Sequence, residues 1–190
     1  RDSSKLNYEI GYDVNRETAY GLRIEEQVQH IADYALFSSV EYKPVSKLTI
    51  RPGLRLTYNS DYKAPLVPSV HFRYALNKTH TLRFSYARGF RAPSVKELYF
   101  YFVDINHNIT GNPALQAEQA NNGNLSVSYG AQKKKFFWKT ENSFFYNHIT
   151  NLITLAQVSG TQYTYFNLEK FQSLGVQMQT EMAWPHFKLS

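Results

Sequence analysis

The sequence predicts an all-β fold: an antiparallel up-and-down meander of about eight long strands, forming part of a larger transmembrane β-barrel. Three observations carry this. Eight stretches alternate apolar and polar residues with period two, so each strand would present one oily and one polar face. The connections between them alternate short and long. Charges of both signs, among them Arg51, Arg55, Arg73, Arg83, Glu9, Glu41, Glu141 and Glu181, fall on the polar faces. In a small barrel or a sandwich such charges would be buried at high cost unless paired, whereas a wide barrel sets them against water or a plug.

The first strand is expected near 5–15, with Leu6, Tyr8, Ile10, Tyr12 and Val14 opposing Lys5, Asn7, Glu9, Gly11 and Asp13. The second runs near 31–43, where Tyr34, Leu36, Val40 and Tyr42 oppose Asp33, Ser39, Glu41 and Lys43. The third, near 47–59, sets Leu48, Ile50, Leu54, Leu56 and Tyr58 against Lys47, Thr49, Arg51, Arg55 and Thr57. The fourth carries Val70, Phe72, Tyr74 and Leu76, and the fifth, Thr81 to Phe90, carries Leu82, Phe84 and Tyr86. Leu125, Val127 and Tyr129 mark the sixth; Trp138, Phe144 and Tyr146 the seventh; Leu174, Val176, Met178, Met182 and Trp184 the eighth. No helical period competes over these stretches.

Tight hairpins are expected at Pro44-Val45-Ser46, Asn77-Lys78-Thr79-His80 and Gln132-Lys133-Lys134, and long connections near 16–30, 60–66, 94–120 and 155–165. Short turns on one rim and long loops on the other are the pattern of outer-membrane barrels, whose short turns are periplasmic and long loops extracellular. Tyr42, Tyr74, Tyr129, Trp138 and Trp184 cluster near the short-turn rim, as an interfacial girdle requires.

Composition narrows the classes. The 190 residues suffice for one domain, and the absence of Cys excludes disulfides and thiolate metal sites. The net charge of +6 is spread along the chain, so nucleic acid is not an expected partner. No run of 18 apolar residues exists, so no transmembrane helix is expected; a barrel, with its polar inner face, needs none. His30, His71, His80, His148 and His186 are scattered without metal-ligand spacing, and no Ser-His-Asp set or phosphate loop is present, so neither a metal site nor an enzyme is expected. Glu97 and Glu118 flank one long loop and invite an acid/base reading.

That loop has a defined exit and return. Phe90-Arg91-Ala92-Pro93 closes the fifth strand, since Pro93 has no N–H to donate. Gly111-Asn112-Pro113 is a turn that begins the return, followed by Ala114-Leu115 and Glu118.

These residues resemble the TonB-dependent outer-membrane receptors, whose barrels carry an F-R-A-P box and, across an extracellular loop, an N-P-x-L box followed by Glu. Ile31-Ala32-Asp33-Tyr34-Ala35-Leu36-Phe37 and Ile50-Arg51-Pro52-Gly53-Leu54-Arg55 are also similar to family phrases. The resemblance implies a structural role for Phe90, Arg91, Ala92, Pro93, Asn112, Pro113, Leu115 and Glu118, and for Glu97. It implies a cell outer-membrane receptor that binds and actively imports a scarce nutrient, such as a siderophore, haem, cobalamin or a glycan, in a plugged barrel of about 22 strands. Its partners would be outer-membrane lipid, the nutrient, TonB acting through a plug, and a surface lipoprotein in some members. The expected domain is thus a partial barrel over residues 1–190, without plug or remaining strands, cut as it enters a ninth strand at Phe187-Lys188-Leu189-Ser190. The alternatives are a self-contained eight-stranded barrel acting as an adhesin or structural protein, and a soluble β-sandwich binding module.

In haem receptors of this family a His between the two boxes is an axial ligand, and His107 matches that position in order. The candidate ligand-binding residues are therefore His107, Tyr99, Tyr101, Arg91 and Asn108. Haem would be cargo rather than a resident cofactor. The other reading makes His107 an ordinary polar loop residue, and the loop aromatics equally suit siderophores, corrinoids or glycans.

Overall fold

The structure is a computed structural model describing residues 5–185 and 187–189. Residues 1–4, His186 and Ser190, and the expectations that concern them, fall outside the described residues.

Eight long strands form one curled antiparallel sheet: β1 (Leu6–Tyr20), β2 (Val28–Val45), β3 (Leu48–Asn59), β4 (Val67–Ala75), β5 (His80–Arg91), β8 (Glu118–Lys133), β9 (Phe136–Ser159) and β10 (Gln162–Trp184). Between β5 and β8 lie a helical turn, α1 (Val95–Tyr99), and a small hairpin, β6 (Tyr101–Val103) with β7 (Asn108–Thr110). A short β11 (Phe187–Leu189) pairs with the end of β10. The expected meander of eight is therefore present. Among the described residues β1 pairs with β2 alone, so the eight strands do not close into a barrel, and no second sheet makes a sandwich. The molecule is a half-barrel, a piece of a larger wall.

Register explains the two faces. One rung crosses the whole sheet as Leu6, Tyr42, Ile50, Phe72, Phe84, Leu125, Phe144 and Val176, all apolar and all on the outward face. Outward side chains on β1 are bare: Tyr8 is 77% and Tyr12 80% exposed. Inward positions hold the charges in cross-strand pairs, Arg51 with Glu9 at 2.9 Å, Arg55 with Asp13 at 2.8 Å and Arg83 with Glu141 at 3.8 Å. Three inward arginines are thus paired across the wall, whereas Arg73, opposite Arg83, has no carboxylate within ion-pair distance among the described residues. Phe37 and Phe145 lie over the inward faces of Gly11 and Gly175, where a Cβ would meet the ring at 2.3 and 2.6 Å.

Strand ends differ from expectation at the long-loop rim. The expected connection at 155–165 is a tight hairpin turning at Gly160, which sits at φ +51°, because β9 and β10 stay paired to Ser159 and Gln162. β1 and β2 likewise continue beyond the expected ends, leaving 21–27 as the link. Apolar alternation fades above a membrane, but the hydrogen-bond ladder goes on. Of the aromatics expected near the short-turn rim, Tyr129 meets Trp138 edge-on at 5.5 Å, and Trp184 lies tilted against Phe136 at 4.9 Å.

The buried core is not in the sheet but under the long loop. Val95 and Leu98 of α1 join Leu115 of the return, Ile31 of β2 and Ile153 of β9. β2 and β9 are five strand intervals apart in the sheet, about 24 Å at ordinary strand spacing. One helical turn bridges them across the concave side and so ties the curl at this rim.

Candidate functional site

The base of the loop is a clasp built on Arg91. Its Nε and Nη2 donate to the two oxygens of Glu118 at 2.8 and 2.7 Å. Its Nη1 donates to Glu97 Oε2 at 2.9 Å. Forked geometry of this kind suits Arg better than Lys. Glu97 also caps α1: it accepts from the Ser94 N–H at 2.8 Å, and the Glu97 N–H donates to the Ser94 hydroxyl at 3.3 Å, which completes a capping box. Burial pushes the Glu97 carboxyl up, but its hydrogen bonds from Arg91 and Ser94 outweigh this and hold it below the usual carboxylate value. Glu118 accepts in addition from the Ile153 N–H at 2.7 Å, so the same carboxylate fixes the neighbouring β9.

The N-P-x-L return is equally fastened. Asn112 accepts from the Ala114 N–H at 2.9 Å and donates from its amide to the Tyr165 carbonyl at 2.9 Å. The Tyr62 hydroxyl donates to the Leu115 carbonyl at 3.0 Å, and burial pushes its pKa up to about 12, so it stays a donor. Gly111 lies against α1 so closely that a Cβ would sit 2.5 Å from the Leu98 carbonyl oxygen. Phe90 pairs with Gln119 and Arg91, the last residue of β5, with Glu118, while Ala92 and Pro93 turn the chain inward, with Pro93 fully buried. Beneath this exit lies a hollow lined by Asp13, Glu17, Asp33, Arg55 and Arg91.

Beyond the clasp the β6–β7 hairpin stands out. Its tip is Asp104-Ile105-Asn106-His107, with Ile105 94% exposed. Asp104 Oδ1 accepts from the N–H groups of Asn106 and His107 at 2.8 and 2.6 Å and lies 3.2 Å from His107 Nδ1. Those bonds, that of Asn106 first, hold the Asp104 carboxyl below its usual value. An ionised carboxylate only accepts, so His107 Nδ1 is the donor in this contact, and Nε2 is left on the ring's other side. The His107 ring is half-exposed and 6.1 Å from that of Tyr163.

The structure therefore separates the candidate ligand residues. His107 and Asn108 sit at the hairpin tip beside β10, where the Asn108 N–H donates to the Thr161 carbonyl at 2.8 Å. Tyr101 lies at the hairpin's other end and donates to the Leu22 carbonyl. Tyr99 packs against the buried core, and Arg91 directs its guanidinium at two carboxylates. Asp104 and Tyr163 escaped sequence reasoning. The Asp-x-Asn-His turn was a signal for Asp104, whereas Tyr163 reaches His107 only through the parallel pairing of β7 with β10.

The fold and the clasp define a class: a receptor-type barrel wall whose long loop is strapped over its concave side. The profile described as TonB dependent receptor-like, beta-barrel matches residues 3–189, and the chain belongs to that family. No curated sequence matches it. Among solved structures it is similar to the siderophore receptor PirA from Pseudomonas aeruginosa, with a TM-score of 0.75 at 20% identity, covering 96% of this chain and 34% of that one. It is also similar to the Serratia marcescens hemophore receptor HasR, solved as a double mutant with its hemophore HasA and heme: TM-score 0.72, 15% identity, 94% of this chain and 38% of that one. For a mutant of the ferric enterobactin receptor PfeA from Pseudomonas aeruginosa, in complex with enterobactin, the values are 0.70, 18%, 93% and 30%. The chain thus spans about a third of these structures, and the likeness is one of fold.

Proposed function

We propose that this chain is part of the barrel of an outer-membrane receptor that binds and imports a scarce small nutrient, with energy from TonB delivered through a plug elsewhere in the parent protein. The observation that supports it most is the strap: both family boxes are spent on anchoring the loop, which leaves its tip free to meet a ligand. Solved structures of the same fold come from receptors for siderophores and for a haem carrier, which fits an iron-bearing cargo. Within that class the Asp104–His107 pair favours haem. A carboxylate on Nδ1 fixes the ring's orientation, which is how ligating imidazoles are usually supported.

The test is growth of cells making the full-length receptor with haem as sole iron source. His107→Ala is expected to abolish growth, and Asp104→Asn to weaken it about tenfold or more, with surface display unchanged. Growth unaffected by His107→Ala would overturn the haem assignment and turn attention to siderophores, cobalamin and glycans.

A further inference from the structure

The return half of the strap runs along β10 and then crosses it. From the tip inward, the Asn108 N–H donates to the Thr161 carbonyl at 2.8 Å, and Ile109 and Thr110 pair in parallel with Tyr163 and Thr164. The Thr164 hydroxyl donates to the Thr110 carbonyl at 3.0 Å, and the Asn112 amide to the Tyr165 carbonyl at 2.9 Å. The ladder between β7 and β10 is only three residues long and is made by backbone groups, which any residue supplies. Register in so short a ladder is weakly specified unless side chains pin it. A slip of two residues would carry the His107 tip about 7 Å along β10.

Asn167, which lies outside both boxes, supplies such a pin. It takes an inward position on β10, paired with Ile153 of the buried core. Its Oδ1 accepts from the Gln116 N–H at 2.8 Å, and its Nδ2 donates to the Gln116 carbonyl at 2.9 Å. Those are the two bonds that a peptide unit would make across a β-bridge, so the side chain stands in for a strand. Nδ2 also donates to the carbonyl of Asn151 in β9 at 2.8 Å; Asn151 sits at φ +57°. An Asn side chain offers two amide hydrogens and one carbonyl oxygen, and here all are engaged. One residue thus joins β10, β9 and the strap at the crossing.

We infer that Asn167 is a positioning residue: it fixes where the strap crosses β10, and with that the register of β7 and the place of the His107 tip. The Arg91 clasp cannot do this, because Arg91, Glu97 and Glu118 join the two ends of the strap to each other and none of them is on β10. Height along β10 is left to the side chains of Asn112, Thr164 and Asn167. The role requires an amide. Aspartate has the same shape, but its carboxylate would face the carbonyl oxygens of Gln116 and Asn151 and donate to neither; once protonated, it donates one bond again. That the tip meets cargo rests on the import reading, whereas the anchoring does not.

The test traps the register in the full-length receptor, in outer membranes and free of other reactive thiols. Thr110→Cys with Thr164→Cys places two thiols on directly paired residues, within disulfide reach. This pair is expected to oxidise readily. Adding Asn167→Ala is expected to slow trapping about tenfold. Asn167→Asp should trap as slowly at neutral pH and recover in mild acid, each rate taken relative to the Asn167 parent at the same pH. Gel mobility of the unheated, folded barrel confirms that each variant is intact. Trapping of a folded Asn167→Ala receptor at the parent's rate, or an Asn167→Asp rate that ignores pH, overturns the role. Haem uptake by receptors without the cysteines is scored separately: Asn167→Ala should raise KM at an unchanged maximal rate. A native receptor that takes up no haem would sink the haem reading and leave the trapping result to decide the role of Asn167.

Discussion

Arg91 holds two carboxylates that come from opposite ends of one loop, and the loop's anchorage follows from that. Removing it by Arg91→Ala leaves Glu97 and Glu118 facing each other without a cation. Because Arg91 is half-exposed, solvent screening limits the loss to about 1–2 kcal/mol. Limited proteolysis of the full-length receptor should then cut within 94–117 faster than in the native protein. The pH dependence has a definite sign. Glu97 is held below its usual value of 4.5, so its contribution is complete above that value and is lost as pH falls through its lower folded value. Protease resistance of the loop should be flat from neutrality down to about pH 5 and drop only in stronger acid. Gly111→Ala is a sharper probe, since its methyl would press on the Leu98 carbonyl, backbone that cannot rotate away. An overpacking cost of about 1–3 kcal/mol is expected, read as a lower Tm with Arg91 untouched. At this scale much was legible: the two boxes and their Glu are visible in the chain, and Ser94-x-x-Glu97 is a capping-box pattern. The bond from Glu118 to β9 was not, because it joins residues 35 apart through sheet register.

α1 is only five residues long, yet it makes the core of a molecule that otherwise has one layer. An isolated helix of that length would not persist in water; packing of Val95 and Leu98 under the loop and the cap at Ser94 sustain it. Leu98→Ala should open a cavity costing about 2–5 kcal/mol and loosen the tie between β2 and β9. Hydrogen exchange at Ile31 and Ile153 would report this as faster exchange at both sites together. The strands carry a second consequence. From β1 to β10 the outward apolar band slides six to eight residues toward the short-turn rim, from Leu6–Val14 to Leu174–Trp184. That is about 20–26 Å along the strand against about 34 Å across seven intervals, a tilt of roughly 30–40°. Closed membrane barrels tilt their strands by about this angle. Alternation in the sequence located each strand but not this drift, which emerges only when the registers are aligned. The hairpin at Gly160 and the β6–β7 pair were missed because neither is amphipathic.

As a whole the molecule exposes what a soluble protein hides. Its outward face is a continuous apolar sheet, and β1 offers an unpaired edge among the described residues. In water such a surface invites edge-to-edge pairing; inside a complete barrel the edge is closed and the face meets lipid. The fold class was readable from alternation, loop rhythm and inward charge, since those are properties of the wall itself. What was not readable is the tie across the concave side, because it depends on Val95 and Leu98 of α1 meeting Ile31 of β2 and Ile153 of β9. On the proposed function, this wall crosses the outer membrane with the strap outside and the short turns inside. Ile105, at the strap's tip, and Lys134, in the β8–β9 turn, lie at opposite rims. The decisive measurement is labelling of Ile105→Cys and Lys134→Cys, each placed singly in a full-length receptor free of other reactive thiols, with a membrane-impermeant maleimide on intact cells. Labelling of the first at once, and of the second only after the outer membrane is breached, is the predicted result. Labelling of Lys134→Cys on intact cells, with Ile105→Cys protected, would contradict this orientation.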